Sequence, residues 1–409
     1  MTSGVDPLDL VDPARYARDG YPHTVWTRLR AESPVAHIAA PGYEPFWAIT
    51  KHADIVQMSK QPLRFSNAQG IMLRRAGAPM MPPSEMIVML DPPRHGPMRR
   101  LASLRFTRGS LRAQSEDIER IAVEILDQAA TGGAPGECDF VERIAAQLPI
   151  AVVSWILGVP RADWGLLFRC TNEIIGAEDP EYRRPGETPG QTAKRARVEM
   201  HSYFERLIER RRSDPQGDLL SELVHARIDG TPLTEEQLLQ YCELLVEAGN
   251  ETTRNAISGG LIAFCEHRGE WEKLRGRPEL LSDAVEEILR WVTPITHCTR
   301  TATEDSEVRG VKIRAGEQLA LFYASANRDE DVFVDPFAFR VDRRPNRHLA
   351  FGIGEHTCIG AHVARVELET MFRHLLARLE SFEVSGPVER LSSAVNGSIK
   401  HLPLRYRLT

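Results

Sequence analysis

Residues 351–367 read Phe-Gly-Ile-Gly-Glu-His-Thr-Cys-Ile-Gly-Ala-His-Val-Ala-Arg-Val-Glu and contain the strongest signal in the chain. Gly352, Gly354 and Gly360 bracket a single cysteine, Cys358, and a helical pattern begins directly after it. Glycine adopts positive φ angles and lets the backbone approach another group closely, and the start of a helix attracts anions. The stretch therefore predicts a loop that holds a large planar or anionic ligand against Cys358.

The isolation of Cys358 limits the kind of site it can form. A single thiolate is a poor zinc or iron–sulfur site, because those centres take three or four protein ligands. It suffices for haem iron, since the porphyrin supplies the in-plane ligands. The alternatives are an inert buried cysteine and a nucleophilic cysteine paired with His356 or His362. The complete Phe-x-x-Gly-x-x-x-Cys-x-Gly spacing favours haem over both.

This loop resembles the haem-binding signature of the cytochrome P-450 monooxygenases, the haem-thiolate family. The resemblance implies haem b, an iron protoporphyrin IX, with the Cys358 thiolate as the axial ligand and metal-binding residue. It also implies a mainly α fold with a small β region, a triangular helical prism in which a long central helix crosses the haem. Further cofactor contacts implied by the resemblance are Phe351, Gly352, Gly360 and Ala248.

Composition and charge agree with a globular enzyme. The 409 residues contain 27 prolines and 29 glycines, and no biased or like-charge segment separates them into parts. We predict a single domain over residues 1–409, with β-rich parts at about 35–65, 295–325 and 385–409. A net charge of −6 argues against nucleic-acid binding, and the six dispersed cysteines fit a reducing compartment. The longest apolar run, 148–159, is too short to span a bilayer, so a cytoplasmic location is expected.

A long central helix is the second strong signal. Thr234 and Gln237 form a capping box, and apolar residues then recur at helical spacing for roughly thirty residues. Its middle carries Ala-Gly-Asn-Glu-Thr-Thr at 248–253, which contains poor helix formers and resembles the oxygen-activation motif of the family. The chemistry predicts Glu251 as proton source, Thr252 as hydroxyl donor and Gly249 as room for O2. The alternative is a Thr252 hydroxyl bonded to its own helix beside a solvated Glu251.

Other residues match family positions around the haem and its loop. By resemblance, His95, Arg99, Arg300 and His356 hold the haem propionates, although a solvated basic face is the plain alternative for the first two. Glu287 and Arg290 lie one helical turn apart. The resemblance joins them to Arg340 in a buried structural network that supports the thiolate loop.

The predicted substrate pocket draws on a methionine-rich stretch and on two later segments. Methionines adapt to varied apolar ligands, although they also fill gaps in cores. His297 is equally well explained as a structural histidine, and either His297 or Lys400 could meet a substrate carboxylate. The connection at 176–194 is either a lid over the substrate or a mobile surface loop. The predicted pocket residues are Met72, Met81, Ile87, Leu245, Ala248, Ile295, Thr296, His297, Val395 and Ile399.

The resulting hypothesis is a monooxygenase that hydroxylates or epoxidises a bulky hydrophobic molecule, such as a steroid, terpenoid or branched lipid. O2 is the co-substrate, and a separate ferredoxin with its ferredoxin reductase supplies electrons. Arg100, Arg105, Arg347 and Arg365 are candidates for the ferredoxin surface. A tailoring oxidase acting on a polyketide, peptide or carrier-bound substrate is the main alternative. A peroxide-using haem enzyme and a haem-based sensor are less favoured, because neither needs the Glu251–Thr252 pair.

Overall fold

The computed structural model of the protein describes residues 4–79 and 82–409, so the predicted pocket residue Met81 lies outside the described residues. The α-helices are α1 (Pro13–Asp19), α2 (His23–Glu32), α3 (His52–Ser59), α4 (His95–Ser103), α5 (Arg108–Ala129), α6 (Gln147–Ile156), α7 (Trp164–Ile175), α8 (Pro189–Ser213), α9 (Leu219–His225), α10 (Glu235–Glu266), α11 (Arg268–Gly276), α12 (Leu281–Val292), α13 (Tyr323–Ala326) and α14 (Ala361–Arg378). Short 3-10 or π turns lie at Pro7–Leu10, Ile87–Met89, Leu104–Phe106, Val141–Ala145, Arg161–Asp163 and Pro278–Leu280.

The strands are short and gather mainly in two sheets. They are β1 (Val35–Ile38), β2 (Phe46–Ile49), β3 (Phe65–Ser66), β4 (Gly136–Asp139), β5 (Arg227–Ile228), β6 (Thr231–Pro232), β7 (His297–Ala302), β8 (Ser306–Val308), β9 (Val311–Ile313), β10 (Gln318–Phe322), β11 (Leu379–Val384), β12 (Glu389–Arg390), β13 (Ile399–His401) and β14 (Pro403–Leu408). The larger sheet has the order β1-β2-β10-β7-β3, and a second has the order β11-β14-β4. The sequence did not predict β4, β5, β6 or β11 as strands.

The long helix α10 forms as its sequence predicts. The Thr234 side chain accepts from the Gln237 N–H at 3.2 Å, while Gln237 Oε1 accepts from the Thr234 N–H at 2.9 Å. The helix has 32 residues, about 48 Å at the usual rise. It packs against α6, α7, α8, α12 and α14 and lies within the largest hydrophobic core cluster. Its middle is therefore at the centre of the helical part of the molecule.

The connection before α8 is shorter than the predicted 176–194 segment, because α8 begins at Pro189. Thr188 and Gln191 form a second capping box, and Pro189 occupies the first helical position, where its missing N–H costs nothing. This start signal was present in the sequence and was not recognised. Among the described residues, no helix is long and apolar enough to cross a membrane.

Candidate active site

The Cys358 loop is held by its own backbone before it enters α14. The Cys358 N–H donates to the Phe351 carbonyl at 2.9 Å, and the Thr357 N–H donates to Gly354 at 3.1 Å. Gly354 has φ 83°, and a Cβ there would stand 2.2 Å from the Ser59 carbonyl oxygen. Glycine is required at this position by both its conformation and the close approach of α3.

The Cys358 side chain is accessible, although protein surrounds the thiol closely enough for burial to raise its pKa. The Gly360 N–H and the charges of Arg99 and Arg365 act in the opposite direction and favour the thiolate. The sulfur therefore lies one turn before a helix start, with a backbone donor and two cations near it. This environment fits a sulfur that serves as an anionic ligand to a metal.

Two histidines and two arginines form an anion-binding cluster beside this loop. The rings of His95 and His356 lie 4.2 Å apart, and the charges of Arg99 and Arg300 act on His356. Burial and these cations lower the pKa of His356 to about 3, and burial with Arg99 also lowers the pKa of His95. Among the described residues, neither Nε2 atom has a hydrogen-bond partner, although both atoms are buried.

Buried polar atoms without partners are rare in proteins and call for a ligand that satisfies them. Two neutral imidazoles between two guanidinium groups suit a pair of carboxylates. The four side chains that the sequence assigned to the haem propionates, His95, Arg99, Arg300 and His356, are thus brought close to one another, and the charge of Arg99 also acts on Cys358. The residues present fit the carboxylate edge and the axial ligand of haem b.

Gly249 and Thr252 lie on α10, near its middle. Thr252 donates its hydroxyl to the Ala248 carbonyl at 2.8 Å, the helix-bonded arrangement that the sequence left open as an alternative. A Cβ on Gly249 would stand 3.1 Å from the side chain of Val153. The missing side chain of Gly249 lets α6 pack closely, and its predicted role of leaving room for O2 stays a prediction.

Glu251 is paired and buried, so the alternative of a solvated carboxylate is wrong. Its Oε2 accepts from Arg254 Nη2, and Arg254 Nη1 in turn donates to Asn172 Oδ1 of α7 at 3.0 Å. Glu251 and Arg254 are 2% and 1% exposed. Glu251 Oε1 has no hydrogen-bond partner within the described part of the chain. One oxygen is therefore fixed by an ion pair, and the other is available.

The structural network contains Arg343 and not the Arg340 side chain. Glu287 accepts from Arg290 at 2.7 Å through both oxygens, and Arg343 Nε reaches the same two oxygens at 3.1 Å. The side chain of Arg340 is 47% exposed, and only its backbone N–H reaches Glu287, at 2.9 Å. The prediction of Arg340 was wrong because three arginines follow Phe339 within five residues, and spacing alone does not choose among them.

The two C-terminal segments of the predicted pocket meet each other. Ile295 forms an isolated bridge with Asn396, and the Thr296 N–H donates to the Val395 carbonyl at 2.8 Å. Burial lowers the pKa of His297 to about 4, and its Nδ1 lies 3.0 Å from the Thr296 hydroxyl. His297 is thus neutral, and its buried Nε2 has no hydrogen-bond partner among the described residues.

The remaining predicted pocket residues differ in exposure. Met72 is 48% exposed and Ala248 is also exposed, whereas Ile87, Leu245 and Ile399 are buried in the large core cluster. The Lys400 ammonium group is already paired with carboxylates of the protein and is not free for a substrate carboxylate, because its Nζ contacts Asp179 at 3.1 Å and Glu181 at 2.8 Å. Sequence reasoning also missed Arg254, whose only signal was its position three residues after Glu251.

Comparisons with known proteins find relatives along nearly the whole chain. The sequence profile of the family described as Cytochrome P450 matches residues 187–399. The steroid C26-monooxygenase of Mycobacterium tuberculosis is 35% identical over 98% of this chain and 92% of its own length. The linalool 8-monooxygenase of Pseudomonas putida is 33% identical over 96% of this chain and 97% of its own length. The structure of Mycobacterium marinum cytochrome P450 CYP268A2 in complex with pseudoionone is 33% identical, covers 98% of this chain and 100% of that chain, and has a TM-score of 0.89.

Proposed function

The chain belongs to the cytochrome P450 family of haem-thiolate monooxygenases, and we propose that it hydroxylates or epoxidises a bulky hydrophobic small molecule with O2 and electrons from a ferredoxin. The substrate class proposed is a steroid, terpenoid or branched lipid. The observation that carries the proposal is the convergence of the Cys358 sulfur with the unpartnered imidazoles of His95 and His356. Relatives named for linalool and for steroid oxidation support the substrate class.

The cofactor of this family is haem b with a cysteine axial ligand. In this chain Cys358 would hold the iron, while His95, His356, Arg99 and Arg300 would hold the propionate carboxylates. When bound, the haem supplies the activation of O2 and the insertion of one oxygen atom into the substrate. The role of the protein is to exclude water, position the substrate and deliver protons.

Proton delivery is assigned to Glu251 and Thr252. Arg254 engages Oε2 of Glu251, so Oε1 is the oxygen that would take up a proton and pass it on. Thr252 is half-buried, and rotation about χ1 would release its hydroxyl from the Ala248 carbonyl toward the pocket. Since Asn172 of α7 holds Arg254, a shift of α7 would change the position of the Glu251 carboxylate.

A ligand titration tests the substrate class. The ferric protein is mixed with sterols, terpenoids, fatty acids and macrolides while the Soret band is recorded, because a substrate that excludes water from the haem site would change the spin state of the iron. A shift with sterols or terpenoids supports the proposal. A shift seen only with a substrate tethered to a carrier protein would contradict this substrate class and favour a tailoring oxidase. Loss of the thiolate-type band on reduction with CO would contradict the role of Cys358.

Replacement of Thr252 tests proton delivery. We expect Thr252→Ala to lower the yield of product per electron consumed several-fold, because the hydroxyl that passes protons toward bound oxygen is lost. Thr252→Ser keeps a hydroxyl and should keep the wild-type yield. Ser258→Ala is the matched control, since Ser258 also donates to its own helix, to the Arg254 carbonyl at 2.9 Å, and is fully buried. Unchanged coupling in Thr252→Ala would contradict the assignment.

A further inference from the structure

The imidazole of His401 joins two acidic side chains from different parts of the chain. Its Nδ1 contacts Asp139 Oδ2 at the end of β4, and its Nε2 lies 2.9 Å from Glu181 Oε1 in the connection between α7 and α8. His401 itself is the last residue of β13, which pairs with β12. One ring therefore links β4, this connection and the hairpin formed by β12 and β13.

Both contacts can be hydrogen bonds only while His401 is protonated. A neutral imidazole carries one N–H donor, whereas the imidazolium form carries two, and an ionised carboxylate only accepts. Although burial opposes it, the hydrogen bonds from Lys400 and His401 lower the pKa of Glu181, so this carboxylate is ionised near neutral pH. Loss of a proton from His401 would thus leave a nitrogen lone pair facing a carboxylate oxygen, which is a repulsive contact.

The contact with Glu181 is the one that deprotonation would break. Asp139 is fixed, because its Oδ1 accepts from the backbone N–H groups of Val141 at 2.9 Å and Leu402 at 3.1 Å. The Glu181 side chain is 38% exposed, so water can replace His401 as its partner. A ring with one N–H therefore keeps its bond to Asp139 and turns its lone pair toward Glu181.

Neighbouring charges determine the pH at which His401 changes its charge. A carboxylate oxygen of Glu389, from β12, lies within 4.8 Å of a ring nitrogen of His401, whereas the adjacent Lys400 adds a positive charge. Although burial alone would lower it, the hydrogen bonds to Asp139 and Glu181 raise the pKa of His401 above its usual value of about 6.5. The change of charge therefore falls above about pH 6.5.

The connection that contains Glu181 also contacts a segment predicted to line the pocket. Asp179 Oδ2 accepts from the Ser392 N–H at 2.9 Å, and Val395, a predicted pocket residue, follows three positions later. A Cβ on Gly176 would stand 3.2 Å from Leu391 Cδ1. The boundary between residues 176–188 and 391–396 is therefore closed by direct contacts.

The two helices that flank the connection are bound to it. Arg184 Nε donates to Glu173 of α7 at 2.9 Å, and Arg184 Nη2 contacts Glu199 of α8 at 3.1 Å. Displacement of the connection would therefore carry α7 and α8 with it. The charged contacts at Glu181 thus act on the whole helix pair and not only on a surface loop.

We propose that protonated His401 holds the boundary between residues 176–188 and 391–396 closed, and that loss of its proton loosens this boundary and speeds entry of ligands to the pocket. The inference rests on the proposed function, which identifies the pocket, and adds its regulation by pH. Lys400 stays paired with Asp179 in both states, so the connection loosens without detaching.

Hydrogen–deuterium exchange of residues 176–188 tests the inference without catalysis. Wild type and His401→Gln are compared at the same pH, so that the intrinsic pH dependence of exchange cancels. We expect exchange in the wild type to be several-fold slower than in the variant at about pH 6, and to approach it at about pH 9. His401→Arg carries several N–H donors and a permanent charge, so its exchange should stay slow at both pH values.

His374→Gln is the matched control. His374 Nε2 also contacts a carboxylate, Glu119 at 2.6 Å, but this contact joins α14 to α5. The variant should leave exchange of residues 176–188 unchanged at every pH. A difference between wild type and His401→Gln that does not vary with pH, or that His374→Gln reproduces, would overturn the inference.

Stopped-flow binding tests whether this boundary controls access to the pocket. The probe is tert-butyl isocyanide, an uncharged ligand of ferrous haem whose own charge does not vary with pH. We expect its association rate constant to rise several-fold between about pH 6 and about pH 9 in the wild type, and to stay constant in His401→Gln and His401→Arg. A wild-type rate constant that does not vary with pH would overturn the control of access.

Failure of the proposed function would look different from failure of this inference. If exchange and isocyanide association depend on His401 but no sterol or terpenoid yields an oxygenated product, the proposed function fails and gating by His401 stands. If product forms while both measurements are independent of His401, the inference alone fails.

Discussion

Glu287 is the centre of a buried charge network next to the Cys358 loop. It accepts from Arg290 and Arg343, and also from Asn346 Nδ2 at 3.1 Å. Arg290 and Arg343 donate in addition to backbone carbonyls, including that of Ala338. Taking several ions out of water is costly, so such a network stabilises the fold only while every member keeps its partners.

Arg343 and Arg340 provide a matched pair for testing this network. We expect Arg343→Ala to lower the free energy of unfolding by about 3–5 kcal/mol, because it removes one partner of a buried carboxylate. Arg340→Ala should lower it by less than about 1 kcal/mol, since that side chain is an exposed ion-pair partner of Asp342. Chemical denaturation followed by circular dichroism measures both, and equal losses would contradict the assignment of Arg343 as the third member.

At the scale of elements, the connection between α7 and α8 contacts the C-terminal hairpin, which is formed by β12 and β13. Asp179 accepts from the Ser392 N–H at 2.9 Å and from Lys400, while Glu181 contacts Lys400 and lies 2.9 Å from His401 Nε2. His401 Nδ1 also bonds to Asp139 at the end of β4. Movement of this connection away from the C-terminal segment must therefore break several charged contacts.

These contacts make stability depend on pH. Although burial alone would lower it, hydrogen bonds to Asp139 and Glu181 raise the pKa of His401 above its value in the unfolded chain, about 6.5. A raised pKa means that the folded state binds the proton more tightly. The contribution of His401 to stability is thus complete below about pH 6.5 and is lost as pH rises through the folded-state pKa.

We therefore expect wild-type Tm to fall relative to that of His401→Gln as pH increases above about 6.5. Thermal unfolding of both proteins across a pH series measures the difference. His37→Gln serves as the control, because His37 is exposed on β1, which belongs to a different sheet from β12 and β13. A Tm difference between wild type and His401→Gln that does not vary with pH would show that the raised pKa of His401 is not coupled to folding.

At the scale of the whole molecule, the four arginines proposed for the ferredoxin surface are not equivalent. Arg105 Nη2 contacts Glu222 at 2.7 Å, and Arg365 Nη2 contacts Glu286 at 2.9 Å. Arg100 on α4 and Arg347 before the Cys358 loop are exposed. The latter two are therefore better placed to meet an acidic partner on a protein whose net charge is −6.

Charge reversal tests this distinction. We expect Arg100→Glu and Arg347→Glu each to raise the KM for a ferredoxin several-fold, with a smaller effect at high salt, because exposed charges steer association. Arg206→Glu on the exposed side of α8 changes net charge equally and should have little effect. Steady-state turnover at varied ferredoxin concentration and ionic strength measures the KM. Equal increases in KM for all three variants would indicate that the net charge of the protein, and not a docking surface, controls association with ferredoxin.

Signals confined to neighbouring residues were sufficient for the main elements. The glycine spacing around Cys358, the capping box at Thr234 and the β-rich part at about 35–65 all predicted structure that is present. The capping box before α8 was equally local and could have been found. Each of these depends on backbone conformation or on hydrogen bonds within a few residues, which the sequence order itself determines.

Only the tertiary structure decided which partners the functional side chains have. It selected Arg343 over Arg340, paired Arg254 with Glu251, packed Gly249 against α6 and paired Lys400 with Asp179 of the connection between α7 and α8. These pairings depend on distances between helix faces and between segments far apart in the chain, and periodicity does not encode those distances. The sequence by itself thus determined the haem-thiolate signature and the long helix, while packing determined how charge and hydrogen-bonding capacity are distributed around them.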